Sequence, residues 1–253
     1  MNYTIITGAS AGIGEVFAKQ LAQQGNNLIL VARRKDKLDQ LATKLTSQYS
    51  IQVETIAADL ATMESSQEIE KHVQEKGWAI QGLINNAGFG DRGSFLDISL
   101  DRQLQMIQLN VTTLINLTYR LLPNIKKQSQ PFIINVASTA AFQAGPNMAV
   151  YYATKAFVLS FSEALHEELK AEGIQVSALC PGATDSEFAV SANMTDTKLF
   201  KAGAMTADAV VKKALRKKNK AIVITGWKNI AGVWSGKLTP RVVTRKLAGW
   251  LQA

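Results

Sequence analysis

The sequence predicts an α/β fold, a doubly wound sheet of about seven parallel strands with helices on both faces, in three layers. Three observations predict it. Short β-branched or aliphatic runs alternate with stretches of helical period, which implies parallel strands joined by right-handed crossovers. Runs such as Leu28-Ile29-Leu30-Val31 are apolar at every position, as strands covered on both faces must be. The 253 residues contain no repeat, low-complexity tract or linker, and 47% of them are hydrophobic, which suits one core and a single domain over 1–253.

The elements follow in order. A strand at 3–7 (Tyr3-Thr4-Ile5-Ile6-Thr7) enters a glycine turn and a helix near 12–25. A strand at 27–33 ends in Arg33-Arg34 and precedes a helix near 35–48. A strand at 51–57 leads through Asp59 to a helix near 62–76. A strand at 82–86 runs into Asn85-Asn86-Ala87-Gly88, before a long helix near 100–127. Phe132-Ile133-Ile134-Asn135-Val136 marks the strand at 131–137, with Ser138 just past its end and a helix near 150–172 after it. The strand at 174–180 stops at Pro181-Gly182. Residues 184–205 carry few strand or helix cues. A helix near 206–218 and a strand at 221–225 complete the pattern, and 226–253 forms a basic C-terminal extension. Six of these features fall at carboxyl ends of strands, the edge on which such sheets bind ligands.

The formal charge of +8 is unevenly placed. Residues 201–253 hold twelve Lys/Arg against one acid, Asp208, for +11, and residues 1–200 hold sixteen against nineteen, for −3. The favoured reading of the basic part is a solvated helix face together with the edge of a phosphate-holding pocket. Contact with nucleic acid is not expected, and contact of the tail with an anionic membrane surface is the less favoured alternative. No apolar run approaches the ~20 residues of a membrane span. The chain enters a strand at once, without the basic and apolar regions of a secretory signal. The lone Cys180 fits a reducing compartment, so a cytoplasmic protein is expected. His72 and His166 stand singly, with no metal-ligand spacing, and no metal is expected.

Thr7-Gly8-Ala9-Ser10-Ala11-Gly12-Ile13-Gly14 lies where the first strand meets the first helix. Glycines there permit a tight turn and close approach of a pyrophosphate to backbone N–H groups at the helix N-terminus. The spacing is Gly-x3-Gly-x-Gly, not the general dinucleotide fingerprint, and the alternative for a lone turn of this kind is a structural strand-to-helix corner. Position after the first strand favours the phosphate reading. An acid at the end of the second strand would bind the adenosine ribose hydroxyls and select NAD. Ala32 cannot, and Arg33 and Arg34 offer fixed charges to a 2′-phosphate, Arg33 being the stronger candidate; the alternative is a pair of surface charges capping the next helix. Asp59 is set to meet the adenine edge, or else to cap the helix near Thr62.

Tyr151 and Lys155 sit four apart and share a helix face. Hydride transfer to a carbonyl needs a proton for the oxygen; a free tyrosine titrates near ~10, and a neighbouring ammonium lowers that value. Ser138 can hold the substrate oxygen. Tyr-x3-Lys alone would be an ordinary amphipathic helix. Together with Ser138, the glycine turn and Asn85-Asn86-Ala87-Gly88 it marks an acid/base site beside a dinucleotide cradle.

These motifs, with Asp59, Asn110, Tyr151-Tyr152-Ala153-Thr154-Lys155 and Pro181-Gly182-Ala183-Thr184, resemble the short-chain dehydrogenase/reductase family over residues 3–225, in its NADP-preferring type. The resemblance implies a Rossmann-type fold that binds NADP(H) through Gly8, Ser10, Ala11, Gly12, Ile13, Gly14, Arg33, Arg34, Asp59, Asn86, Ala87 and Gly88. It implies that Tyr151 is the acid in reduction and the base in oxidation. Lys155 then lowers the Tyr151 pKa and holds the nicotinamide ribose, Ser138 binds the substrate oxygen, and Asn110 holds a water in a proton relay. Pro181, Gly182 and Thr184 then face the nicotinamide. Departures are small. Ala137 stands where a second serine is common, and Tyr152 has Ala156 rather than a lysine four residues on.

The resemblance further implies that 184–205 covers the substrate and that helices 100–127 and 150–172 form a homodimer or homotetramer. Gln143, Phe142, Phe89 and Phe188 are candidate pocket residues, suited to a modest apolar carbonyl compound. The stretch 237–251 reads as one basic amphipathic helix that packs on the protein or on a partner subunit. The expected activity is an NADP(H)-dependent carbonyl or 3-oxoacyl-like reductase acting on a small molecule. Oxidation of a small hydroxy acid or other alcohol is the alternative, and an NADP(H)-binding regulator a further one.

Overall fold

Leu28 and Leu30 point to one side of the central sheet, into a core shared with Phe17, Leu21 and Leu38, while Ile29 and Val31 point to the other, against Ile69, Val73 and Leu121. One unbroken apolar strand thus feeds two cores, because side chains alternate across the pleat. The computed structural model describes residues 1–201 and 203–252.

The chain runs β1 (Asn2–Thr7), α1 (Gly12–Gln23), β2 (Asn27–Ala32), α2 (Lys35–Gln48), β3 (Val53–Ala57), α3 (Ser65–Glu75) and β4 (Ala79–Asn85). It continues through α4 (Leu100–Ile107), α5 (Thr113–Ile125), β5 (Phe132–Val136), α6 (Ala149–Glu168) and β6 (Gln175–Cys180). Then come β7 (Thr184–Asp185), α7 (Glu187–Ser191), α8 (Lys198–Lys201), β8 (Met205–Thr206), α9 (Ala207–Arg216), β9 (Ile222–Ile224), α10 (Trp227–Leu238) and α11 (Arg241–Gln252). Seven strands form one parallel sheet in the order β3-β2-β1-β4-β5-β6-β9. The order reverses between β1 and β4, which opens a crevice at the carboxyl ends of those strands. The expected Rossmann-like α/β architecture is the observed one.

Several boundaries differ from the sequence expectation. β4 begins at Ala79 rather than 82, because Ala79 and Ile80 pair with Asn2 and Tyr3 across a register shift. α3 begins at Ser65 rather than 62, because Asp59 ties the intervening residues into a turn, its carbonyl accepting from both Thr62 N and Thr62 Oγ1. Helix 100–127 is interrupted by a π-helical turn at Gln108–Thr112. The weakly patterned 184–205 holds α7, α8 and a small parallel pair of β7 with β8. The basic helix expected over 237–251 is divided: α10 ends at Leu238 and α11 starts at Arg241, with Pro240 between them, where a proline cannot carry the helical hydrogen bond of an interior position.

A buried polar ladder stiffens the crevice side of the sheet. Asn85 Nδ2 donates to Asn135 Oδ1 (2.8 Å) and Thr118 Oγ1 (3.0 Å), and Asn135 Nδ2 donates to Ser162 Oγ (2.9 Å). β4, β5, α5 and α6 are joined through four side chains that would be costly to bury alone.

Candidate active site

The glycine turn is pinned to the end of β4. Thr7 Oγ1 accepts from the N–H groups of Asn86 and Ala87, both at 2.9 Å, and Asn86 Nδ2 donates to Thr7 O (2.9 Å) and Gly8 O (3.3 Å). Gly8 (φ +66°) and Gly12 (φ +56°) occupy left-handed backbone. A Cβ at Gly14 would overlap the Gly8 carbonyl, so the turn lies directly on the first turn of α1. No side chain caps that helix, whose leading N–H groups are left for a ligand, and Ser10, Ala11, Gly12 and Ile13 line the cleft.

The two arginines differ. Arg34 donates to Ser10 Oγ (3.1 Å) and pairs with Glu187 of α7 (2.8 Å), which Lys37 also reaches at 3.0 Å. The hydrogen bond from Arg34, then that from Lys37, holds the Glu187 carboxyl below its ordinary value. Arg33 is exposed on the cleft wall, and no carboxylate among the described residues pairs with it. Asp59 also lines the cleft, and its Oδ1 accepts from Ala61 N at 3.1 Å. It therefore caps a turn rather than the helix near Thr62, and one face stays open to the cleft.

At the other end α6 carries Tyr151 and Lys155, both buried, and Ser138 follows β5. Lys155 Nζ donates to Val136 O (2.8 Å) and lies 5.8 Å from the Tyr151 ring centre. Burial pulls its pKa down to about 8, against a smaller opposing pull from the Cys180 thiol. Burial pushes the Tyr151 phenol above the ordinary tyrosine value; the Ser138 hydroxyl draws it part way back and Tyr152 pushes it further. Burial sets the direction, and the Lys155 ammonium is directed to the Val136 carbonyl. Ser138 Oγ accepts from Ala140 N (3.1 Å), an anchor for its hydroxyl.

Asn110 sits in the π turn with its side chain buried. It donates to Phe89 O (2.9 Å) and Thr154 Oγ1 (3.1 Å) and accepts from Phe89 N (3.1 Å). A Cβ at Gly88 would come within 2.9 Å of Asn110 Oδ1 and 3.6 Å of Lys155 Nζ, so these three residues converge. Such turns recur at functional sites. Pro181, Gly182 and Thr184 line the same cleft beyond β6, and Asn229 of α10 packs so closely on Gly182 that a side chain there would overlap it.

On the substrate side Gln143, Phe89 and Phe188 line the cavity, with the Phe188 ring centre 5.5 Å from that of Tyr151. Phe142 does not. It packs among Leu114, Ala137, Val158 and Leu159 behind the wall, because the 3-10 turn Thr139–Phe142 directs it inward. Sequence reasoning missed the contribution of α11. Ala248, Leu251 and Gln252 line the cleft, and buried Gln252 Nε2 donates to Tyr152 Oη at 2.5 Å. Arg92 donates to Gln252 O (2.8 Å) and Asn193 O (2.7 Å) and grips both oxygens of Asp196 (2.8 and 3.0 Å). The chain end is thereby fastened to the loop after β4 and to the segment between α7 and α8. No local pattern announces a contact made 160 residues away.

The cleft is one cavity of about 680 Å³, with the glycine turn at one end and Ser138, Tyr151 and Lys155 at the other. A cradle that any Cβ would fill, open N–H groups at a helix start and an unpaired arginine on the rim fit a phosphorylated dinucleotide. Among the described residues no group of three or more His, Cys, Asp or Glu converges. His72 and His166 each meet a backbone carbonyl instead.

Comparison with known proteins yields a consistent picture. A family model described as short chain dehydrogenase matches residues 2–197. The very-long-chain 3-oxoacyl-CoA reductase of Anas platyrhynchos is 36% identical over 71% of this chain, a match spanning 58% of that protein's length. Among solved structures, a short-chain dehydrogenase from Sphingobium yanoikuyae in complex with NADPH is 32% identical, with a TM-score of 0.82 over 94% of this chain and 95% of that one. The bulky-bulky ketone specific alcohol dehydrogenase from Comamonas testosteroni is 30% identical, with a TM-score of 0.77 over 94% of each chain.

Proposed function

Because this chain belongs to the short-chain dehydrogenase family of oxidoreductases, which act on alcohol and carbonyl groups, we propose that it is an NADP(H)-dependent reductase of a bulky apolar ketone or 3-oxoacyl compound. The observation that carries the reading is the buried Tyr151 phenol beside Ser138, in the same cavity as the glycine turn and the free Arg33. The relatives favour it in kind: one is named a 3-oxoacyl-CoA reductase, one is described with NADPH, and one as specific for bulky ketones.

The residues divide the work. Gly8, Ser10, Ala11, Gly12, Ile13 and Gly14 receive the pyrophosphate, and Arg33 receives the 2′-phosphate as a charge-assisted donor. Asp59, Asn86, Ala87 and Gly88 would hold the adenosine side, and Pro181, Gly182 and Thr184 the nicotinamide side. Bound NADPH supplies the hydride. Ser138 Oγ holds the carbonyl oxygen, and Tyr151 Oη gives it a proton as it becomes an alcohol. The phenol carries the proton that reduction requires, and it stands beside Ser138 in the same cavity. The Lys155 ammonium then faces the phenolate left behind, and Asn110 orders the path by which a proton returns. Phe188, Phe89 and Gln143 shape the substrate side, and 184–205 acts as a lid that excludes water.

The test is consumption of NADPH by the purified protein against a panel of bulky ketones and 3-oxoacyl thioesters, with NADH in parallel. Turnover with NADPH on at least one class supports the reading. NADPH binding with no turnover on any carbonyl, or turnover only in the oxidising direction with NAD, overturns it.

A further inference from the structure

The last two helices expose apolar stripes that no described residue covers. On α10, Trp227, Ala231, Trp234 and Leu238 recur at the spacing of one helix face, and all are exposed, Trp227 at 76% and Leu238 at 88%. On α11, Val243, Leu247 and Trp250 recur in the same way beside Val242, each about half exposed. The opposite faces are spent. Val233 is buried, Asn229 packs on Gly182, Ala248 and Gln252 are buried, and Gly249 lies against Pro146. The packing of this tail expected from sequence is therefore only half met. Each helix turns one side to the protein and keeps a second apolar side outward.

The stripes are rimmed by cations. Lys228, Lys237, Arg241, Arg245 and Lys246 are exposed, and no Asp or Glu occurs after Asp208. Lys237 Nζ lies 5.0 Å from the Trp234 ring centre and Lys198 Nζ 4.3 Å from that of Trp250, so ammonium groups edge the aromatic rings. Three of the four tryptophans of the chain are in this pair of helices.

We propose that α10 and α11 dock the protein on an anionic lipid surface, with the Trp/Leu/Val stripes in the interfacial layer and the basic rim against the headgroups. Charge complementarity selects this occupant. A second copy meeting the same face would oppose five cations with five cations and no acid. Lipid phosphates offer the missing negative charge, and the acyl boundary takes indole and leucine side chains. No described helix is long and apolar enough to cross a membrane, and an interfacial helix needs no such length. Ala248, Leu251 and Gln252 on the other side of α11 line the cleft, so docking sets the substrate side of the cavity beside the lipid. That consequence for substrate entry rests on the reductase reading, and the docking itself does not.

The experiment is co-sedimentation of the full chain with phosphatidylcholine vesicles with and without phosphatidylserine, at low and high salt, read without substrate or cofactor. Wild type is expected to sediment with the anionic vesicles and to be released by salt. Two variants separate the contributions: Lys228→Glu with Arg245→Glu and Lys246→Glu, and Trp227→Ser with Trp234→Ser. All five side chains are exposed and outside the cleft, and circular dichroism and NADPH binding report that both variants fold. Each is expected to lose about tenfold or more in apparent vesicle affinity. Equal sedimentation with neutral and anionic vesicles, no sedimentation with either, or unchanged binding by the tryptophan variant overturns the proposal. A lower mass for the lipid-free tryptophan variant in analytical ultracentrifugation would assign the surface to a second copy and overturn it as well. Loss of carbonyl turnover in wild type with vesicle binding intact would count against the reductase alone.

Discussion

Lys155 directs its ammonium at the Val136 carbonyl, 2.8 Å away, while the Tyr151 ring centre lies 5.8 Å from the same nitrogen. The cation is anchored by the end of β5 and lies over the Tyr151 ring. In the proposed reaction that position sets a positive charge beside the phenolate that proton transfer would leave.

Tyr151→Phe removes the proton donor and keeps the ring that packs on Phe188. Carbonyl reduction is expected to fall by about 10²- to 10⁴-fold with NADPH affinity close to wild type. Steady-state turnover together with a nicotinamide fluorescence titration checks both halves. Equal losses in binding and turnover would assign Tyr151 a structural part only.

The Lys155 pKa of about 8 has a consequence for stability. An unfolded lysine titrates near ~10.4, so between about pH 8 and pH 10 the unfolded chain binds more protons than the folded one. Stability from this group therefore rises with pH across that window and is level below it. Relative to Lys155→Met, wild type is expected to gain about 2 kcal/mol between pH 7.5 and pH 9.5, measured by urea unfolding. A parallel pH course in the two proteins would contradict it.

Arg33→Ala is expected to weaken NADPH binding about 10- to 100-fold and leave NADH binding nearly unchanged, since a charge-assisted contact to a phosphate is lost. Arg34→Ala is expected to do less, because Arg34 is already engaged by Ser10 and Glu187. Titration of both cofactors into both variants decides which arginine reads the phosphate.

Gln252→Ala leaves the Tyr152 hydroxyl without its 2.5 Å partner in a buried wall. A cost of about 1–3 kcal/mol is expected, seen as a fall in Tm of about 2–10 °C. A higher KM for the ketone is expected beside it, because Gln252 lines the cleft. An unchanged Tm and KM would show that the chain end contributes nothing to the site.

The seven strands and the crevice were legible because their signals are local: apolar runs of strand length, most of them ending in a glycine, an asparagine or a serine. Tyr151 and Lys155 were legible through helical spacing, and the glycine turn through its place after β1. What escaped depends on distant partners. Nothing near Arg34 marks Glu187, 153 residues on, as the group that occupies it. Nothing near Gln252 marks Tyr152, and nothing in 184–205 is long enough for α7 and α8 to display a period. The burial of Tyr151 was not legible, because burial, unlike spacing, cannot be read from the positions of two residues. Phe142 was misassigned because the turn after Ser138 decides which aromatic faces the cleft.

The π turn at Gln108–Thr112 has a bearing on how this helix tolerates change. A wide turn holds one residue more than an α turn, so it shifts the angular phase of everything beyond it. α4 buries Gln103 and Met106 on one side of the shift, and α5 buries Leu114, Leu117 and Leu121 on the other. Deleting one residue between Gln108 and Thr112 would restore a regular helix and turn the two buried stripes out of alignment by roughly a quarter of a revolution. Asn110 would leave Phe89 and Thr154 in the same motion. The extra residue is the device by which a single rod serves the core at both ends and the buried contacts of Asn110 in its middle.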